Sequence, residues 1–94
     1  MEIRRDDPIT PKIEHAVEEI WSGGSLMERY NFLDYHFEQD GAYLRARAYL
    51  DDTQEVTLYG PFQKGGPGTK IVAPEAEQAA LAYLERRYPV VERL

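Results

Sequence analysis

The 94 residues carry seventeen acidic and eleven basic side chains, a formal net charge of −6, and a mean hydropathy of −0.59. Such a length suits one domain that buries roughly two-thirds of its unfolded surface, and the absence of cysteine excludes disulfides and thiolate zinc sites. The acidic balance repels phosphate backbones, which non-specific binders hold with lysine and arginine, and so disfavours a nucleic-acid partner. Met1 to Pro8 lack the apolar stretch of a secretion signal, and nowhere do about 18 apolar residues run together. The expectation is therefore a cytoplasmic protein that neither crosses nor enters a membrane.

In chain order, residues 1–9 read as an N-terminal arm. Thr10-Pro11 then reads as a helix start, threonine capping an orphan amide and proline occupying the first helical position. Ile13, Ala16, Val17, Ile20 and Trp21 recur at helical spacing, which predicts one apolar stripe, with Glu14, His15, Glu18 and Glu19 toward water. Ser22-Gly23-Gly24 is the expected stop, and Leu26 to Arg29 fit either a helical turn or the lead-in to a strand.

Asp40-Gly41, between the alternating runs Tyr30 to Gln39 and Ala42 to Leu50, is a strong hairpin signal. With Gln39 opposite Ala42, one face sets Phe37 against Leu44, Tyr35 against Ala46 and Leu33 against Ala48, a core face. The other sets Glu38 against Tyr43, His36 against Arg45, Asp34 against Arg47 and Phe32 against Tyr49. A third strand follows, with Val56, Leu58, Gly60 and Phe62 inward and Glu55, Thr57 and Tyr59 outward. Leu50 then meets Gln54 across a three-residue loop or Val56 across a five-residue one.

Gln63 to Thr69 reads as a glycine-rich connector, with Ile71-Val72 as an apolar anchor. Pro74 opens a second helix whose Glu75 and Glu77 suit its N-terminal end and whose Arg86 and Arg87 suit the other. Ala76, Ala79, Ala80, Tyr83 and Leu84 form its inward side, and residues 89–94 are the tail. The expected fold is a single α+β domain over residues 1–94, helix, three-stranded antiparallel meander, helix, with both helices on one sheet face. That order resembles the double-stranded RNA-binding domain, and Gly68-Thr69-Lys70 followed by Glu75-Ala76-Glu77-Gln78-Ala79-Ala80 is similar to that family's loop and second helix. That family grips phosphate with lysines at the helix start, where this chain has Pro74, Glu75 and Glu77, so no function is carried over.

Asp34, His36 and Glu38 share a strand face and resemble a catalytic or metal-binding set, but Arg45 and Arg47 lie opposite and favour cross-strand ion pairs. His15 with Glu18 and Glu19 lacks a fourth ligand. Gly65 to Lys70 departs from a phosphate-binding loop, since the hydroxyl precedes the lysine and three residues separate it from the helix. Neither a metal nor a cofactor is expected, and without a nucleophile beside a base the chain does not read as an enzyme. The remaining surface is the outer sheet face, Phe32, Tyr43, Arg45, Arg47, Tyr49 and Tyr59, residue types enriched at interface centres. The leading expectation is a non-enzymatic protein-interaction domain that uses this face toward a second copy or a larger partner. Two alternatives are an acidic inhibitor of a nucleic-acid enzyme, of the toxin-neutralising or phage-encoded kind, in which Glu14, Glu18 and Glu19 on the first helix imitate phosphates, and a weak single-stranded nucleic-acid binder.

Overall fold

A computed structural model describes residues 7–94, and residues 1–6 of the expected arm lie outside the described residues. Six strands and one helix follow in the order β1 (Lys12–Ser22), β2 (Ser25–Gln39), β3 (Ala42–Tyr49), β4 (Glu55–Gln63), β5 (Gly66–Lys70), α1 (Pro74–Glu85) and β6 (Val90–Arg93). All strands join one sheet ordered β1-β2-β3-β4-β5, with β6 pairing parallel to β4. The expected fold of a meander between two helices is therefore corrected to a mainly antiparallel six-stranded sheet with a single helix.

The correction begins at residues 12–22, which form a strand and not the expected first helix. Ile13, Val17 and Trp21 also fit a period of two, with His15 and Glu19 between them, and β-branched Ile13, Val17 and Ile20 favour the pleated backbone. Gly23 and Gly24, with φ of 57° and 81°, are the two left-handed positions of a tight hairpin turn that sets Ser22 opposite Ser25. They reverse the chain where a helix stop was expected. Without the first helix, the topology shared with the double-stranded RNA-binding domain is gone.

The Asp40-Gly41 hairpin has the expected register, from Gln39 opposite Ala42 to Phe32 opposite Tyr49, turning through φ of 50° and 82°. Between β3 and β4, Arg45 faces Tyr59 but Tyr43 faces Phe62, so Gly60-Pro61 holds an extra residue. Gly60 has φ 110°, and a Cβ there would stand 3.1 Å from the Tyr43 carbonyl oxygen, a position for glycine. This bulge turns Phe62 to the outer face, against the expected inward position. Arg47 opposite Thr57 carries the register toward Leu50 opposite Gln54, the shorter loop. The glycine-rich connector is itself corrected: Gln63 faces Gly66 across a turn at Lys64-Gly65, and Gly66–Lys70 become β5.

Helix α1 packs on one face of the sheet through Ala76, Ala79, Ala80, Leu81, Tyr83 and Leu84, the expected inward side with Leu81 added. The small alanines bring its axis close to Phe37, Leu44, Ala46, Val56 and Leu58, all fully buried. Tyr35 and Tyr88 join their hydroxyls at 2.8 Å, which gives the one polar end of each ring a partner, and burial raises the Tyr35 pKa. Val90–Arg93, read from the sequence as part of a tail, zip onto β4 with Val91 half-buried against the core.

Ile9 lies in the core, and just before it Asp7 accepts hydrogen bonds from Arg86 and Arg87, each at 3.0 Å. Arg87 also lies 3.5 Å over the Tyr83 ring. The Arg87 hydrogen bonds hold the Asp7 carboxyl below its ordinary range, against partial desolvation and with help from Arg86. A lowered folded pKa contributes stability that is present above the unfolded value, near ~3.9, and is lost as pH falls through the folded value. Asp7→Asn should therefore lower the Tm at pH 7, and its gap from the wild type should shrink in thermal melts below about pH 4. A gap independent of pH would show that the carboxylate charge does not contribute.

Candidate interaction surface

The strands are unequal. β2 has fifteen residues and β3 eight, and β3 pairs with β2 only from Phe32 onward. Among the described residues the first half of β2 has β1 as its sole strand neighbour, so residues 17–30 form a two-stranded arm beyond the layer that α1 covers. On the helix side of the β1–β2 hairpin Ile13 faces Tyr35 and His15 faces Leu33 at the base of the arm, and Val17 faces Asn31 and Glu19 faces Arg29 within it. Ile20 then faces Glu28 and Trp21 faces Leu26, which leaves Met27 as a bulged extra residue.

Of the twelve large apolar residues exposed among the described residues, seven lie in this hairpin: Ile13, Val17, Ile20, Trp21, Leu26, Met27 and Tyr30. Trp21 is 58% exposed and Met27 62%. Isolated exposed apolar residues are ordinary, whereas a concentration of them on one projecting element marks a contact surface. The helical spacing of Ile13, Val17 and Trp21, which predicts an inward stripe, hides them as surface residues. The signal that finds them is Ser22-Gly23-Gly24-Ser25, which fits a two-residue hairpin turn between two apolar runs.

Phe32, Tyr43, Arg45, Arg47, Tyr49 and Tyr59 do share the outer sheet face, as the pairs Phe32 with Tyr49 and Arg45 with Tyr59 require. Much of that face is closed by its own side chains. Arg47 donates to both carboxylate oxygens of Asp34 at 2.9 and 3.0 Å and lies 3.9 Å over the Phe32 ring, leaving Phe32 5% and Asp34 6% exposed. Tyr49 meets Phe32 and Tyr30 edge-on, with ring centres at 5.7 and 6.0 Å. Arg45 lies 5.0 Å over Tyr59, and its buried Nε has no hydrogen-bond partner among the described residues. Tyr49, 41% exposed, is the most open of the six.

His36 is held between the Tyr43 hydroxyl at 2.6 Å and Glu14 at 3.3 Å. Glu14, Asp34 and His36 place ligand atoms within 4.8 Å of one another, but Arg47 occupies both Asp34 oxygens and its charge opposes a cation. Glu38 points instead to Lys64, 3.2 Å away. The acidic helix face is corrected with the helix: Glu14 and Glu18 fall on the outer side of β1, opposite Asp34 and Tyr30, and Glu19 falls on the other side, opposite Arg29.

Comparison with protein-family models, with curated proteins and with solved structures finds no match for the chain. Among the described residues, no helix is long and apolar enough to cross a membrane.

The Asp34 and Arg47 pair is the keystone of the outer face and is open to a double-mutant cycle. Arg47→Ala strands a buried carboxylate and should cost about 3–5 kcal/mol in denaturant unfolding, while adding Asp34→Ala should cost much less than the sum of the two. Strict additivity would show that the bidentate contact carries no energy.

Proposed function

We propose that this chain is a non-enzymatic protein-interaction domain whose binding surface is the β1–β2 arm, bordered on the outer face by Tyr30 and Tyr49. One observation carries the reading: apolar side chains cluster on a two-stranded arm that the domain's own helix leaves uncovered. A two-stranded ribbon alone is at best marginally stable in water, so covering it both buries apolar area and steadies the backbone. Trp21 and Tyr30 are types that serve as interface anchors. Self-closure of the outer face around Arg47 shifts the expected contact from the sheet centre to the arm and leaves Tyr49 at its border.

Support for the two alternatives is smaller. Glu14, Glu18 and Glu19 divide between two faces and form no single row of phosphate-like charge, and Arg47 is committed to Asp34 where a single strand would need it for phosphate.

Photo-crosslinking groups placed singly at Trp21, Tyr49 and Lys64 of the otherwise native protein test the assignment in cell extract. Protein adducts are expected strongly from position 21, weakly from 49 and at background from 64. Equal yields from all three, or adducts from 64 alone, would contradict an arm-centred surface.

A further inference from the structure

Among the described residues strand β1 is an edge of the sheet, and its backbone shows which way the hydrogen-bonding groups not used by β2 point. The Asn31 carbonyl accepts the Leu50 N–H at 3.0 Å on the β3 side, so Asn31 bonds away from β1. Its partner Val17 accordingly turns its own N–H and C=O to the open edge. By alternation Ile13, His15, Glu19 and Trp21 do the same. An edge of eleven residues without an internal proline or lysine is a ready template for another strand, and proteins ordinarily blunt such edges. Pro11 stands immediately before it and Gly23 immediately after its last residue, Ser22.

Resting on the interaction reading above, we propose that the occupant of this edge is a second copy of the same chain, with β1 pairing antiparallel to β1 about a two-fold axis through Val17. Val17 is the midpoint of Lys12–Ser22, so this register pairs the strand along its whole length and matches each outward N–H with a C=O of the other copy. The side chains fit it as well. On the helix side Ile13 meets Trp21, His15 meets Glu19 and Val17 meets Val17. On the outer side Lys12 meets Ser22, Glu14 meets Ile20 and Ala16 meets Glu18. No like charges oppose one another, and the three exposed apolar residues of the helix side meet only one another across the dimer, in rows that alternate with His15 against Glu19.

The neighbouring symmetric registers fail on the same criteria. An axis through Ala16 sets Glu14 against Glu18 twice, and an axis through Glu18 sets that carboxylate against itself, both destabilising in a sheet. An axis through His15 brings Pro11, which has no N–H, opposite Glu19 at a bonding position and leaves Trp21 outside the paired strand. In the Val17 register Trp21 at the tip of each arm lands beside Ile13 of the second copy. Ile13 lies opposite Tyr35 in its own chain, so each tip reaches the other copy's core layer.

The test is light scattering on the full chain through a dilution series, with Val17→Pro and Val17→Lys beside the wild type and circular dichroism to check folding. The Val17 amide faces the open edge, so proline there removes no bond within the chain. It deletes the central intermolecular pair and should raise the dimer Kd roughly tenfold or more. Lysine places two charges at the axis and should do the same if proline disturbs the strand. Because the chain has no cysteine, a mixture of Ala16→Cys and Glu18→Cys proteins should oxidise to a cross-linked heterodimer faster than either alone, which fixes the register. A monomer at every concentration overturns the proposal yet leaves heterologous adducts from position 21 to support the arm as a binding surface. A dimer indifferent to both Val17 changes, or a dimer without the mixed cross-link, also overturns it.

Discussion

The mismatch in strand length governs this molecule. A fifteen-residue β2 pairs with an eight-residue β3 at one end only, and a twelve-residue α1, about 18 Å long, covers only part of the sheet. The core can thus be completed by Phe37, Leu44, Val56, Leu58 and Leu84 while a substantial ribbon of the same sheet projects beyond it. Everything exposed and apolar along β1 and the start of β2 follows from that geometry. The arm has a paired backbone and an open face, and these two properties suit it to recognition by strand addition.

The two faces of the sheet solve different problems. Toward α1, alanines on the helix and on β3 allow close approach, and the few polar atoms find partners, as the Tyr35 and Tyr88 hydroxyls do. Among the described residues no second layer covers the outer face, and a buried Asp34 is tolerable because Arg47 grips both of its oxygens. The same guanidinium caps Phe32, so one arginine shields an apolar ring and neutralises a carboxylate. A face rich in aromatic rings and arginine is thereby largely satisfied internally, and this composition does not by itself mark a docking surface.

The parts legible in the sequence were those with a single reading. Asp40-Gly41 needs left-handed backbone at both positions and stands between two clean alternations, so its register followed, and with it the Asp34 and Arg47 pair. Pro74, the two acids of the first turn and the alanine stripe located α1. Residues 12–22 were ambiguous because Ile13, Val17 and Trp21, spaced by four, satisfy both a helical and a strand period, and Thr10-Pro11 resembles a helix start. The decision lay outside the segment, in a β2 long enough to pair with all of it and in Gly23-Gly24 as a turn. β5 and β6 escape the sequence pattern for a related reason: Gly66–Lys70 has little strand propensity, Val90–Arg93 has two valines but only four residues, and the edge of β4 recruits both through backbone bonds. The candidate surface was legible only in part, since exposure of the arm depends on where α1 ends.

Amide hydrogen exchange resolved residue by residue along β1, at high and low protein concentration, addresses the pairing of the open edge most directly. The amides of Lys12, Glu14, Ala16, Glu18 and Ile20 point toward β2 and should be protected at both concentrations. Those of Ile13, His15, Val17, Glu19 and Trp21 point to the edge and should be protected when the protein is concentrated and exchange freely on dilution. Free exchange of this second set at every concentration, beside lasting protection of the first, would show that nothing pairs with β1 and would contradict assembly through the arm's edge.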